Sequence, residues 1–288
     1  MDPRPTPQTI GLAYTSYFTH QPPSVSSHRV STWLGRFKAA LRNDYLQRRY
    51  GAVFAPRILL GRVAVYMAIA RRLSIDRHFR HLPAPQGRLL DVGCGNGDFL
   101  VTARSLGWEP WGIDPDREAV AAARAAGLRV AQGGFPNTGM PEGYFDAVTM
   151  NHVIEHLHDP VGALREMRRV LKPGGTIWIA TPNLNSLGTR HYGGNCLSLD
   201  PPRHLVLFTT GSLKVACAHA GFFITGVRRS LHAAWIFSAS ERLARGGLPL
   251  QSTSVAIPRR LRWIALAADL MSLLLPDYGE ELIVVATK

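Results

Sequence analysis

The chain has 288 residues, 46% of them apolar and 18% charged, the make-up of a folded globular protein rather than a disordered one. No run reaches the roughly 18 uninterrupted apolar residues of a membrane span, and the start MDPRPTPQTIGLAY lacks the basic head and apolar core of a secretory signal. The net charge of +13 is uneven: residues 29–88 hold 13 basic groups against Asp44 and Asp76, residues 89–227 are close to neutral, and residues 228–262 hold seven arginines against Glu241. A neutral core thus carries two basic attachments, which points to an anionic partner such as a lipid surface, a diphosphate or a nucleic acid.

Residues 1–28 are rich in Pro, Ser and Thr and read as an irregular arm. From Ser31 to Arg80 the pattern turns helical, with Trp33, Phe37, Ala40 and Leu41 recurring at i, i+4, i+7 and i+8. Pro56 and the PAPQG at 83–87 punctuate this segment, so residues 1–87 are read as an amino-terminal arm and basic helical segment. After Gly87 strands and helices alternate. RLLDVG (88–93), PWGID (110–114), LRVAQG (128–133), YFDAVTMN (144–151) and GTIWIATP (175–182) read as strands. Helices are expected over 98–106, 116–126 and 159–171, the last stopped by Lys172-Pro173-Gly174-Gly175. This alternation predicts a parallel sheet with helices on both faces over residues 88–288. GFFITGVRRS (221–230) and ELIVVATK (281–288) read as two more strands, separated by an insert at 231–279. Cys94, Cys196 and Cys217 form no C-x-x-C pair and are read as free thiols in a reducing, cytoplasmic compartment.

The stretch DVGCGNGDFL (91–100) follows the first strand and opens a helix, with Gly93, Gly95 and Gly97 spaced G-x-G-x-G after Asp91. Glycines here let the backbone turn sharply and approach a ligand beside a helix N-terminus. A dinucleotide fingerprint would place its third glycine one residue later. Asp114 closes the second strand, where a carboxylate can accept hydrogen bonds from ribose hydroxyls. Loop and acid together signal a nucleoside.

LLDVGCGNGDFL, WGIDPD, FDAVTMNHVIEHLHDP and VLKPGGTIWIATPN resemble, in order and spacing, the successive motifs of class I S-adenosylmethionine-dependent methyltransferases. The resemblance implies a Rossmann-like, doubly wound α/β fold, with a seven-stranded sheet whose last strand is antiparallel. Here that fold would carry an N-terminal helical segment and a helical insert before the last strand. It implies S-adenosylmethionine as cofactor: Asp91, Gly93, Gly95 and Gly97 would line its methionine part, Asp114 would hold the ribose, and Ile113 and Pro115 would flank the adenine. Many relatives carry an acid after the third strand. This chain reads QGGFPN (132–137) there, and backbone groups of Gly134 and Phe135 would stand in its place.

His152, Glu155 and His156 in NHVIEHLHDP (151–160) spell an inverted zinc-peptidase signature, H-x-x-E-H. In such an enzyme both histidines lie one turn apart on a long helix, whereas Asp159-Pro160 arrives only three residues after His156. The segment instead resembles the methyltransferase loop after strand four, with Asn151 and His152 facing the cofactor and acceptor pocket. No metal is expected.

Methyl transfer requires alignment of a nucleophile with the methyl group, and an oxygen or nitrogen acceptor can need a base. Candidates come from NLNSLGTRHYGGNCLSLDPPRHLVLFT (183–209). His204 is the first candidate for a base or acceptor contact, with His191 and Tyr192 behind it. The alternative reading has Arg203 and His204 pinning the loop to the sheet.

The arm DPRPTPQTIGLAYTSYFTH (2–20) resembles the segment following a small Cys-rich module in some of these enzymes, so either the module is lost or the true start lies upstream. In the insert, the apolar stretch Leu261–Leu275 beside the arginines at 259, 260 and 262 is too short to span a bilayer. It packs either against the core or a second subunit, or in a membrane interface, which would put the protein peripherally at the inner membrane surface. The leading function is methyl transfer to a small-molecule, glycan- or lipid-linked acceptor, by direct displacement. The basic charge leaves nucleic-acid methylation as an alternative, but NHVI at the end of strand four is not the polar-aromatic clamp a flipped base requires. The third reading is a non-catalytic nucleoside-binding adaptor.

Overall fold

The computed structural model describes residues 32–135, 137–231, 233–247 and 259–288, with positions 5, 6, 9 and 23 of the arm. The rest of the arm and residues 248–258 of the insert lie outside the described residues.

Among the described residues, seven strands form one sheet: β1 (Arg88–Val92), β2 (Glu109–Asp114), β3 (Arg129–Gln132), β4 (Phe145–Asn151), β5 (Leu171–Pro182), β6 (Phe223–Arg228) and β7 (Glu281–Thr287). Their order is β3-β2-β1-β4-β5-β7-β6. β1 pairs parallel with β2, Leu90 opposite Trp111, and β2 pairs parallel with β3. β7 runs antiparallel to β6, as the closing ELIVVATK implied. Parallel strands covered on both faces need apolar side chains on both; accordingly Leu89, Leu90, Val148, Ile177 and Ile179 are all buried.

The chain divides into two compact units, the division passing through β4 and β5. The first comprises residues 19–149 and 169–178, with helices α1 (Trp33–Tyr50), α2 (Gly61–Met67), α3 (Ile69–His78), α4 (Asp98–Ser105) and α5 (Arg117–Ala125). The expected helical segment is thus three helices, interrupted around Pro56 and at Ala68. α1 does not bury the stripe its spacing promised: Trp33 and Phe37 are exposed, and the buried part begins at Ala40. Polar anchors hold its second half. Asp44 accepts the Arg62 backbone N–H at 2.9 Å, and the hydroxyls of Tyr45 and Tyr50 both donate to Asp76 Oδ1 at 2.6 Å. α5 begins where Asp116 accepts the N–H groups of Glu118 and Ala119, the usual solution for unpaired donors at a helix start.

The second unit comprises residues 1–18, 150–168 and 179–288, with α6 (Pro160–Val170), α7 (Leu187–Tyr192), α8 (Thr210–His219), α9 (Ala233–Ala244) and α10 (Arg259–Leu274). α8 starts with a reciprocal capping box between Thr209 and Ser212. The insert forms the expected helices: α9 and α10 pack through Ala233, Phe237, Ala265 and Ala268. One strand boundary differs from the sequence reading by more than two residues. β5 begins at Leu171 rather than Gly175. Pro173 disfavours a helical Lys172, and in the first unit Lys172 Nζ bonds Asp146 Oδ1 at 2.6 Å, so the chain straightens at once. All three cysteines are free and buried.

Gly97 has φ +89°, and a Cβ there would lie 2.3 Å from Leu128 Cδ1. Gly97→Ala is therefore expected to destabilise the protein by about 1–3 kcal/mol, read as a lowered urea midpoint with unchanged slope.

Candidate active site

The loop between β1 and α4 turns on three left-handed glycines, Gly93 (φ +67°), Gly95 (φ +53°) and Gly97. Asp114 at the end of β2 is tied to it: Oδ2 accepts the Gly95 N–H at 2.7 Å, while Oδ1 accepts the N–H of Asp116, at the start of α5, at 2.9 Å. Burial pushes the Asp114 carboxyl up, against the pull of these two backbone donors. Each oxygen keeps a lone pair for a further donor such as a hydroxyl. Ile113 is fully buried and packs toward Gly133, while Pro115 is exposed and Gly134 and Phe135 are half-buried.

Asp91, at the end of β1, is completely buried. Its Oδ1 is paired with the Arg80 guanidinium and accepts the Thr149 hydroxyl at 2.8 Å; Arg80 also donates to Thr149 Oγ1 at 2.9 Å. Asp91 Oδ2 is buried and has no hydrogen-bond partner among the described residues. Burial pushes the Asp91 carboxyl up, and Arg80 and Thr149 oppose it. Arg80 lies over the Phe99 ring, 3.6 Å from its centroid, and takes a left-handed φ of +48°. Non-glycine residues adopt this region at a cost and usually where the surroundings impose it. An unpaired buried carboxylate oxygen is expensive, and here it sits at the head of a glycine loop whose amides are already ordered. With the loop amides of Gly93, Cys94, Gly95 and Gly97 already donating to Ile113, Asp114 and Cys94, the groups that fit an amino-acid-bearing nucleoside are a carboxylate oxygen of Asp91 for an ammonium and Asp114 for a ribose.

The second unit holds a separate polar cluster. His152 follows β4 with φ +53°. Its Nδ1 lies 3.2 Å from Glu155 Oε1 and its Nε2 2.9 Å from Glu281 Oε1. Its surroundings disfavour the charge, but the two carboxylates outweigh them and raise His152 to about 9, so both ring nitrogens donate at neutral pH. Asn151, beside it, is half-buried. Glu155 is fully buried; Oε2 accepts the Thr181 hydroxyl at 2.9 Å, and its backbone oxygen accepts the N–H groups of Leu205 and Val206. Burial opposes its ionisation, yet His152 holds the carboxyl below the usual range.

His204 is oriented by Ser198, whose carbonyl lies 2.8 Å from Nδ1, and its Nε2 lies 4.0 Å from both Glu155 Oε1 and Asp200 Oδ2. His156 is held the same way, Nδ1 lying 3.0 Å from the Arg203 carbonyl. Burial keeps His156 below its ordinary pKa. Arg203 itself forks onto Asp200, three residues earlier in the same loop, at 2.7 and 2.9 Å. Residues 154–156 form a single 3-10 turn, and the long helix of an inverted zinc-peptidase motif does not form. Among the described residues, Glu155, His156 and His204 nevertheless bring three ligand atoms within 4.8 Å of one another, a grouping that uses a histidine outside the motif. The other two candidates, His191 and Tyr192, face α9. His191 stacks on Phe237 with centroids 5.9 Å apart, and the Tyr192 hydroxyl lies 3.4 Å from Glu241 Oε2.

A methyltransferase-domain family model matches residues 66–226, more than half of the chain and all of the loop, Asp114 and the strand-four turn. The chain belongs to this methyltransferase family. Its cofactor is S-adenosylmethionine. A ubiquinone biosynthesis O-methyltransferase of Xanthomonas oryzae pv. oryzae (strain PXO99A) is 37% identical over 118 residues, covering 38% of this chain and 49% of the relative. Its counterpart in Pseudomonas aeruginosa (strain LESB58) is 33% identical over 105 residues, or 34% and 45%. The chain therefore spans about half the length of the curated relatives it matches. Among solved structures, a chain of the complex containing the Haloferax volcanii Trm112 methyltransferase activator aligns with TM-score 0.55 at 17% identity, covering 87% of this chain and 95% of that one. An S-adenosylmethionine-dependent methyltransferase from Mesorhizobium loti aligns with TM-score 0.50 at 18% identity, covering 75% and 98%. Both similarities speak for the fold.

Sequence reasoning missed Arg80, Thr149 and Glu281 as partners of the site. Thr149 had a signal, since it is two residues before Asn151 on the same strand. Arg80 and Glu281 had none.

Replacing Arg80 by Met strands the Asp91 charge, and is expected to cost about 3–5 kcal/mol of stability, measured by urea denaturation at neutral pH. The charge on His152 contributes stability in full below about pH 6.5 and loses that contribution as pH rises through about 9. Glu155 contributes above the ordinary glutamate range and loses its contribution as pH falls through its depressed value. The stability gap between wild type and Glu281→Gln should therefore be largest near pH 5–6.5 and close by about pH 10, as followed by denaturation midpoints across pH.

Proposed function

We propose that the chain transfers a methyl group to an oxygen of a small-molecule acceptor, one that is lipid- or glycan-linked. The observation that carries the reading is the buried, unpaired Asp91 Oδ2 at the head of an ordered glycine loop, with Asp114 tied to that loop's own amide. The oxygen acceptor is supported by the relatives, which are named as O-methyltransferases of ubiquinone biosynthesis. S-adenosylmethionine supplies, when bound, a methyl group on a sulfonium, so the transfer needs no further activation of the donor. The chain's own residues then have two tasks. Asp91 and Asp114, set by the Gly93–Gly97 loop, bind and orient; the acceptor hydroxyl must give up its proton as the new carbon–oxygen bond forms.

Within the second unit, His204 has the local geometry of a proton acceptor. The Ser198 carbonyl engages Nδ1, which fixes the tautomer with its lone pair on Nε2. The Glu155 carboxylate 4.0 Å away stabilises the imidazolium that results. Such a base contributes roughly a hundred- to ten-thousand-fold in rate.

Calorimetric titration with S-adenosylhomocysteine tests the binding half: affinity in the micromolar range is expected, weakened about tenfold or more by Asp114→Asn. Absence of binding to the wild type would sink the reading. For the catalytic half, His204→Gln should lower kcat at least about a hundredfold while leaving S-adenosylhomocysteine affinity intact. An unchanged kcat would remove His204 from the reaction.

A further inference from the structure

We propose that the exposed face of α10 is a docking surface for an anionic lipid bilayer. The helix distributes its side chains against the usual rule. Its inward residues are Leu261, Ala265, Ala268 and Ser272, at i, i+4, i+7 and i+11. Ala265 and Ala268 pack against Ala233 and Phe237 of α9. The large apolar residues point outward: Trp263 is 73% exposed, Leu266 57%, Leu270 59% and Leu274 75%. At spacings of three, four and four they form one stripe along the helix. A surface helix normally turns its apolar stripe to the core, and an exposed apolar patch of this size marks a binding surface.

What covers it follows from charge. Arg259 and Arg262 line one shallow depression together with Trp263 and Leu266. This places guanidinium donors for phosphate oxygens beside an indole and an aliphatic side chain that suit the boundary between headgroup and acyl chain. The third arginine, Arg260, bonds Glu241 at 2.7 Å. A second copy of this chain would bring the same positive surplus of residues 228–262 to both sides of the interface, whereas an anionic bilayer neutralises it. Spanning is excluded for this helix: its 16 residues extend about 24 Å, short of a hydrocarbon core of about 30 Å, and among the described residues no helix is long and apolar enough to cross a membrane. The helix lies in the interface plane, with arginines at the phosphates and the Trp263–Leu274 stripe among the acyl chains.

The test is vesicle flotation of the full chain, with vesicles of phosphatidylcholine alone and vesicles in which about a third of the lipid is phosphatidylglycerol. Cofactor binding is not required for the result, so the outcome is independent of the proposed methyl transfer. Wild type should float with the anionic vesicles and stay behind with the neutral ones. Leu266→Glu combined with Leu270→Glu should reduce partitioning about tenfold or more, while S-adenosylhomocysteine affinity and melting temperature stay at wild-type values because both side chains point to solvent. Acyl-brominated lipids should quench part of the tryptophan fluorescence in wild type, and that part should be absent in Trp263→Leu. No flotation of the wild type, equal flotation of the double variant, or a dimer in light scattering that the double variant dissolves would each overturn the proposal, the last in favour of a second copy.

Discussion

The carboxylate of Glu155 holds the second unit's polar cluster together. One oxygen bonds His152 and the other Thr181 of β5. Its backbone carbonyl takes the N–H groups of Leu205 and Val206, and His204 stands 4.0 Å away. A buried carboxylate is tolerated only when paired and hydrogen-bonded, and this one gathers three distant segments around itself to meet that condition. The orientation of both His156 and His204 depends on the loop that Glu155 thereby fixes. In the first unit, Asp91 meets the same requirement with Arg80 and Thr149 and leaves one oxygen over. The difference between the two carboxylates is that Glu155 has both oxygens engaged and Asp91 only one.

Much of this was legible in the sequence because its determinants are local. The strands announce themselves as short apolar runs, the glycine loop lies within seven residues, and Asp114 falls where β2 ends. Antiparallel β7 came with the family resemblance, and the pairing of β6 with β7 agrees with it. What the sequence hid is what distance in the chain hides. Glu281 meets His152 from 129 positions away, and Arg80 reaches Asp91 from a basic segment in which one arginine looks like the next. His191 and Tyr192 were chosen for being titratable and close in sequence to a shaped loop; the structure shows their rings engaged with Phe237 and Glu241 on α9.

The helices mislead in an instructive way. Both α1 and α10 carry large apolar residues at helical spacing, and the rule that such a stripe faces the core fails for the start of α1 and for the length of α10. In α10 alanine and serine make the seam, since small side chains let two helices approach closely. The large apolar side chains are then left exposed on the opposite face. Periodicity identified the helix correctly and left its orientation open, because periodicity does not say which of two faces a neighbour will choose.

The three buried thiols bear on how this protein can be handled. Burial pushes Cys94 far above the ordinary thiol range and Cys217 up to about 12, and Cys196 is enclosed as completely. Since thiolates, not thiols, react with alkylating and oxidising agents, the native chain is close to silent toward maleimides. A single cysteine introduced at Leu270 would then be the only reactive handle on the molecule, and a dye placed there reports on the outer face of α10 without any native residue having to be removed first.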